Sequence, residues 1–248
     1  MQQSILITRP DDQAQRIVQH LKNKGFEVFI EPTFNVEKIS PDDLLQLKDL
    51  KIKKIAAIIL TSSNAAEVAF SAAKIFAYDK NLKIFAVGKK TAEIFYKNGF
   101  TNINISEQNS AQSLLNKIQQ DQELFSQKNS ATLIYFCGES VTLDFKEALT
   151  EDGFAVKKII SYKIIEEENF SAKFLNKVKN HQFDFVLLYS KNSACHFLNL
   201  CQKHNLLEYF QRSRILCLSE KILSYLQNSG FRNSATFAEI PILKKFYD

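Results

Sequence analysis

Five short stretches that follow apolar runs carry the residues best suited to chemistry. They are Thr8-Arg9-Pro10, Thr61-Ser62-Ser63-Asn64, Gly88-Lys89-Lys90-Thr91, Gly138-Glu139-Ser140 and Ser190-Lys191-Asn192. In an open α/β sheet the ligand crevice lies at the carboxyl ends of strands. Free backbone N–H groups at the helix starts that follow hold carboxylates or phosphates. Hydroxyls, small residues and scattered cations in such turns therefore point to recognition of an anion. Each turn also reads as a plain helix cap, because Ser, Thr and Asn side chains accept from first-turn N–H groups. Their recurrence in both halves of the chain favours a shared, anion-lined cleft.

Other chemistries lose their usual signatures. The chain has no Gly-x-Gly-x-x-Gly, no Walker loop, no His-Glu-x-x-His and no Gly-x-Ser-x-Gly. Asp11-Asp12 suits an acidic pair of a phosphate receiver, but it also suits a helix start after Pro10, where the dipole favours acids. The third strand ends in Thr61 where a receiver needs an acceptor aspartate. Cys201 and His204, three apart, lack the further ligands a metal site requires. The four cysteines form no Cys-x-x-Cys pair, and Cys137 and Cys217 sit inside apolar runs, as buried thiols do.

The elements that must position these turns repeat. Ile7-Thr8-Arg9-Pro10 through Gly25-Phe26 and Phe34 corresponds to Tyr135-Phe136-Cys137-Gly138 through Gly153-Phe154 and Tyr162. The same offset carries Ile58 to Asn64 onto Val186 to Asn192. Each half alternates strands with helices, which predicts parallel sheets. Strands are expected at Ser4–Thr8, Phe26–Ile30, Ile55–Thr61, Lys83–Val87, Ile103–Ile105, Thr132–Phe136, Ala155–Ile160, Phe183–Tyr189, Arg214–Leu218 and Ala235–Phe237. Helical stripes run through Ala14, Ile17, Val18 and Leu21; Ala65, Val68, Ala69 and Ala72; Val141, Phe145, Ala148 and Leu149; and Ala194, Phe197, Leu198 and Cys201. Gly25, Gly99, Gly153 and Gly230 stand where a left-handed C-terminal cap falls. Ten strands suit two five-stranded sheets better than one. Phe34 to Glu37 and Tyr162 to Ile165 alternate apolar and polar residues and can pair as a ribbon.

The 248 residues, 45% hydrophobic and 24% charged, fit one large or two small folded domains and exclude a disordered chain. No apolar run reaches the ~18 residues of a membrane helix. The start carries no secretory pattern, so the expected location is the cytoplasm. A net charge of +5 is spread among 27 acids, too diffuse for nucleic acid but favourable to a small polyanion.

In order and spacing across essentially the whole chain, these residues resemble the uroporphyrinogen-III synthase family. The resemblance is carried by Leu6-Ile7-Thr8-Arg9-Pro10, Leu21-x-x-x-Gly25-Phe26-Glu27-Val28, Glu31-Pro32, Leu60-Thr61-Ser62-x-Asn64-Ala65, Val87-Gly88-x-x-Thr91-Ala92 with Gly99, and Ser161-Tyr162 after Gly153. It implies two flavodoxin-like α/β lobes joined by a two-stranded ribbon: residues 1–33 and 168–248 form one lobe, 39–161 the other, and 34–38 with 162–167 the ribbon. The implied reaction closes hydroxymethylbilane, a linear tetrapyrrole with eight carboxylates, into uroporphyrinogen III. Water is lost, ring D is inverted through a spiro intermediate, and no cofactor or metal takes part. Tyr162 matches the family's suggested general acid. Arg9, Thr61, Ser62, Asn64, Gly88, Thr91, Ser190 and Lys191 carry over as substrate contacts. The resemblance also implies a monomer, with transient contact to hydroxymethylbilane synthase.

Two departures stand out. Thr142 occupies a position where family members often have arginine, and Ser219-Glu220-Lys221-Ile222-Leu223 replaces a second Gly-x-x-Thr-Ala. The rival expectation is a two-lobed ligand-binding or regulatory protein that kept the fold and lost catalysis.

Overall fold

Apolar strands flanked by amphipathic helices have to lie in the middle of a layered structure. The computed structural model describes residues 2–46 and 54–244. Its strands are β1 (Ser4–Ile7), β2 (Glu27–Ile30), β3 (Phe34–Lys38), β4 (Ile55–Leu60), β5 (Lys83–Ala86), β6 (Ile103–Ile105), β7 (Thr132–Gly138), β8 (Ala155–Glu166), β9 (Phe185–Leu188), β10 (Arg214–Cys217) and β11 (Ser234–Thr236). The helices are α1 (Asp11–Asn23), α2 (Pro41–Gln46), α3 (Ser63–Ile75), α4 (Lys89–Lys97), α5 (Ala111–Gln119), α6 (Gln122–Ser126), α7 (Phe145–Glu151), α8 (Ala172–Asn180), α9 (Lys191–Lys203) and α10 (Glu220–Asn228). The side chains of Asp11 and Asp12 lie outside the described residues, although α1 does begin there.

Two compact units emerge. One comprises Met1–Asn35 and Ile165–Asp248, the other Val36–Ile164. The first holds a parallel sheet in the order β11-β10-β9-β1-β2. One face packs on α1 through Ile5, Ile7, Ile17 and Leu21. The other face is rich in phenylalanine: Phe174, Phe183, Phe197 and Phe210 stack or meet edge to face, with paired centroids 5.2 to 6.5 Å apart. Asp184, the acid that interrupts an apolar run, accepts from the N–H and hydroxyl of Ser4 at 2.7 and 3.0 Å, and so ties the start of β9 to β1.

The second unit carries six strands in the order β3-β8-β7-β4-β5-β6, with α3 and α4 on one face and α5 and α7 on the other. The expectation of two five-stranded sheets is corrected here. The N–H of Ile39 donates to Ser161 and that of Glu167 to Thr33, both at 2.9 Å, so β3 runs beside β8 as an edge strand. A second correction concerns the stripe from Val141. The helix begins only at Phe145, because Asp144 accepts from the Lys146 N–H at 2.9 Å and caps it. Val141 and Leu143 pack on the same core from a loop.

Gly25, Gly99, Gly153 and Gly230 all have φ between 79° and 93°. Each is followed by a phenylalanine whose N–H reaches back five residues, to Leu21, Phe95, Leu149 and Leu226 respectively. An L side chain is strained in that conformation, which accounts for glycine at all four helix ends.

Candidate functional site

Strand order fixes where a ligand crevice can open. In the second unit successive strands step outward from β4 to β6 on one side and from β7 to β8 on the other, so the winding reverses between β4 and β7. In the first unit it reverses between β1 and β9. Helices leave adjacent strands on opposite faces at such points, and the gap at the carboxyl ends is the usual binding place. Thr61-Ser62 and Gly138-Glu139 flank the first reversal; Arg9 and Ser190-Lys191 flank the second.

Ser62 caps α3, its hydroxyl accepting from the Ala65 N–H at 3.1 Å. Ser190 caps α9 in a reciprocal box with Ser193. Both hydroxyls therefore serve as caps, and what they leave for a ligand are the first helical N–H groups. The buried Tyr135 phenol donates to the Leu143 carbonyl at 3.4 Å, and burial drives its pKa far above its ordinary value, with the Thr61 hydroxyl opposing that shift. Asn64 lies half-buried in the first turn of α3. Gly88 caps α4 without a side chain, and a Cβ there would approach the Asn109 Oδ1 to 3.0 Å. Thr91, in the first turn of α4, is buried.

In the first unit the Arg9 guanidinium stands 4.3 Å from the ring centroid of Tyr189. Burial pushes the Tyr189 phenol well up, and the Arg9 charge opposes that shift. Lys191 is exposed, with its Nζ 5.5 Å from the Tyr225 ring centroid. Thr142 falls in the loop before α7 rather than in a helix. Ser219 begins α10 with no side-chain cap bond, and Ile222 is buried.

Tyr162 is aimed by an irregularity in its strand. Along β7 and β8, Cys137 pairs with Ile160, but Gly138 pairs with Tyr162, so one extra residue is accommodated at Ser161. Regular alternation would put Tyr162 on the face of Lys158, which bonds Asp144 before α7 at 2.7 Å. The bulge turns Tyr162 onto the face of Ile159 instead, against the α3 and α4 core. There the ring lies over Gly138: an added Cβ would sit 2.8 Å from Tyr162 Cζ and 2.9 Å from its hydroxyl.

Tyr162 lines a cavity of about 190 Å³ with Glu139, Ile160, Lys163 and residues of β3. A larger hollow of about 650 Å³, lined in part by Ile55, Tyr78, Lys83 and Leu124, lies at the amino edge of the same sheet. Burial pushes the Tyr78 phenol there up to about 12. No winding reversal opens at that edge, so strand ends rather than cavity size locate the site. Neither spacing nor hydrophobicity marks Gly138 as a seat for the phenol or Glu139 as its neighbour, although both stand in the turn Gly138-Glu139-Ser140.

Among the described residues no group of three or more His, Cys, Asp and Glu is placed to hold a metal ion, and Cys201 is buried in the core. Nor is any described helix long and apolar enough to cross a membrane.

The family model of uroporphyrinogen-III synthase HemD matches residues 15–241. A mutant uroporphyrinogen III synthase from the extremely thermophilic bacterium Thermus thermophilus is 15% identical, with 98% of this chain and 97% of that one covered and a TM-score of 0.60. Uroporphyrinogen-III synthetase from Helicobacter pylori 26695 is 16% identical, with 99% and 98% covered and a TM-score of 0.58. At these identities the likeness is one of fold. No curated protein matches the chain.

Proposed function

Since the chain belongs to the uroporphyrinogen-III synthase family, whose reaction closes hydroxymethylbilane into uroporphyrinogen III with ring D inverted, we propose how its own residues carry that reaction. The chemistry is a cofactor-independent loss of water, a carbon–oxygen lyase step. Unaided closure gives the wrong isomer, so the protein's main task is to hold a flexible octacarboxylate in one conformation.

Tyr162 is the general acid. A phenol O–H can give its proton to the departing hydroxyl. The observation that carries this assignment is the bulge in β8, which seats the ring on Gly138 at the carboxyl edge of the sheet. Ile160, 51% exposed on the same strand, offers an apolar surface for a pyrrole face. The helix starts at Ser62, Asn64, Gly88 and Thr91 bind substrate carboxylates through N–H groups, with Thr61 fixing the turn. Within the first unit, Arg9, Ser190 and Lys191 are the groups at strand ends suited to bind a carboxylate. The enzyme works as a cytoplasmic monomer that receives its substrate from hydroxymethylbilane synthase. Nothing in the site favours the reading that catalysis was lost.

The test supplies hydroxymethylbilane made in place by its synthase, oxidises the products and separates the porphyrin isomers. Isomer III well above the no-protein control is expected. Isomer I alone would remove the activity.

A further inference from the structure

The cavity beside Tyr162 is more acidic than the host of a polyanion needs to be. Three carboxylates line it, those of Glu37, Asp43 and Glu139, against the two cations of Lys38 and Lys163. Both cations are already engaged: Lys163 pairs with Glu37 at 3.1 Å and Lys38 with Glu67 at 2.5 Å. Asp43 accepts from the Ser40 hydroxyl at 2.7 Å. Glu139 differs from both other acids. Among the described residues its carboxylate makes no hydrogen bond or ion pair, and it is exposed. Its backbone is nevertheless fixed, because its N–H donates to the Tyr162 carbonyl at 2.9 Å and Gly138 before it is in register with Tyr162.

A surface that had only to grip carboxylates would place a cation here. An exposed carboxylate that lines the same cavity as the proton donor suits a step in which positive charge appears. Resting on the placement of the reaction beside Tyr162, we propose that Glu139 is a further catalytic residue, whose carboxylate accepts the N–H of the reacting pyrrole and balances the charge that develops on it.

In that step the bond from the hydroxymethyl carbon to its oxygen breaks, and the electron pair leaves with the oxygen. A proton from Tyr162 completes the water. The pyrrole nitrogen feeds its lone pair toward the carbon and becomes a cationic N–H. Ring D attacks that carbon through its substituted carbon, which returns the electron pair to the nitrogen; the spiro intermediate opens and recloses with ring D reversed, and the proton that ring D then loses to regain aromaticity goes to the Tyr162 phenolate. Glu139 forms no covalent bond and moves no proton.

This role has a kinetic signature that simple binding lacks. A carboxylate repels an octa-anion in the ground state and helps only as the cation forms. Glu139→Gln is therefore expected to lower kcat for isomer III by ~10- to 100-fold while KM stays unchanged or falls. Glu139→Asp should recover part of the rate. The measurement is initial rate against hydroxymethylbilane concentration for the full chain, with circular dichroism on each variant; should Glu139→Gln fail to fold, the kcat of Glu139→Asp decides. An unchanged kcat, or a raised KM at constant kcat, overturns the proposal. Two controls separate it from the reading beneath it. Wild-type protein that yields only isomer I defeats the activity itself. A Tyr162→Phe variant at full rate beside a slow Glu139→Gln defeats the role of Tyr162 and leaves that of Glu139 standing.

Discussion

Replacing Gly138 by alanine puts a methyl group where Tyr162 already is. The new carbon would lie 2.8 Å from Cζ, 2.9 Å from the hydroxyl oxygen and 3.1 Å from Cε2. Carbon atoms rest about 3.5 Å apart, so the far end of the ring must retreat by about 0.7 Å or β7 and β8 must separate. A tyrosine ring cannot fold aside as a lysine can, and the retreat therefore displaces the hydroxyl itself. Misplacing a reacting group by about 1 Å costs on the order of 100-fold in rate. The overpacking itself costs about 1–3 kcal/mol of stability. Gly138→Ala should accordingly slow isomer III formation by ~10- to 100-fold, with the unfolding midpoint in urea shifted but the fold retained. Because the effect acts through the phenol, adding Gly138→Ala to a Tyr162→Phe background should slow the reaction little further. Wild-type kinetics in Gly138→Ala, or losses that multiply fully in the double variant, would refute the seat.

Three further outcomes follow from particular contacts. Tyr162→Phe should reduce the rate of isomer III formation by ~10- to 100-fold in the coupled assay, and an unchanged rate assigns Tyr162 to packing. Lys83, 11% exposed at the amino end of β5, donates to Asp121 at 2.8 and 3.0 Å and to Glu123 at 2.8 Å. Lys83→Ala strands the Asp121 carboxylate and should cost about 1–3 kcal/mol in urea unfolding while isomer kinetics hold, since Lys83 stands at the edge away from Gly88; an unmoved midpoint contradicts this. For Asp144, burial raises the pKa, but the hydrogen bonds from Lys158 and the Lys146 N–H outweigh it, so the carboxyl sits below its ordinary 3.8. Its stabilising contribution is whole above 3.8 and is lost as pH falls through the lower folded value. Asp144→Asn should thus cost about 0.2–1 kcal/mol at neutral pH and flatten the acid limb of the stability curve, and an unaltered limb would count against it.

Composition and spacing reveal the layers because parallel strands covered on both faces must be apolar throughout, and all ten expected strands are present, nine with ends within two residues and the one from Ala155 running six residues further, to Glu166. The glycine caps are equally legible, since only their left-handed conformation demands that residue. Other features have no such mark. Val141 continues a helical stripe, yet Asp144 followed three residues later by Glu147 is a capping pattern, and the cap prevails over the stripe. The bulge at Ser161 leaves no trace in hydrophobic alternation, so the face Tyr162 takes is settled by strand pairing alone. Ser62 and Ser190 could be read either as caps or as ligand contacts, and the hydrogen bonds resolve only the first role. Glu139 is unremarkable as one acid among 27, and acquires meaning only from the engaged partners of the acids beside it.

The first unit is drawn from both ends of the chain, and this shapes its birth on the ribosome. Ile5 is in register with Phe185, so β1, though paired early with β2, waits for about 180 residues of synthesis before its second neighbour, β9, exists. Every strand wholly within the second unit emerges before then, which lets that unit fold while the nascent β1 and β2, too few strands to be stable alone, remain open. Closing so long a loop is entropically costly, and the contiguous unit lowers that cost by drawing the chain together beforehand.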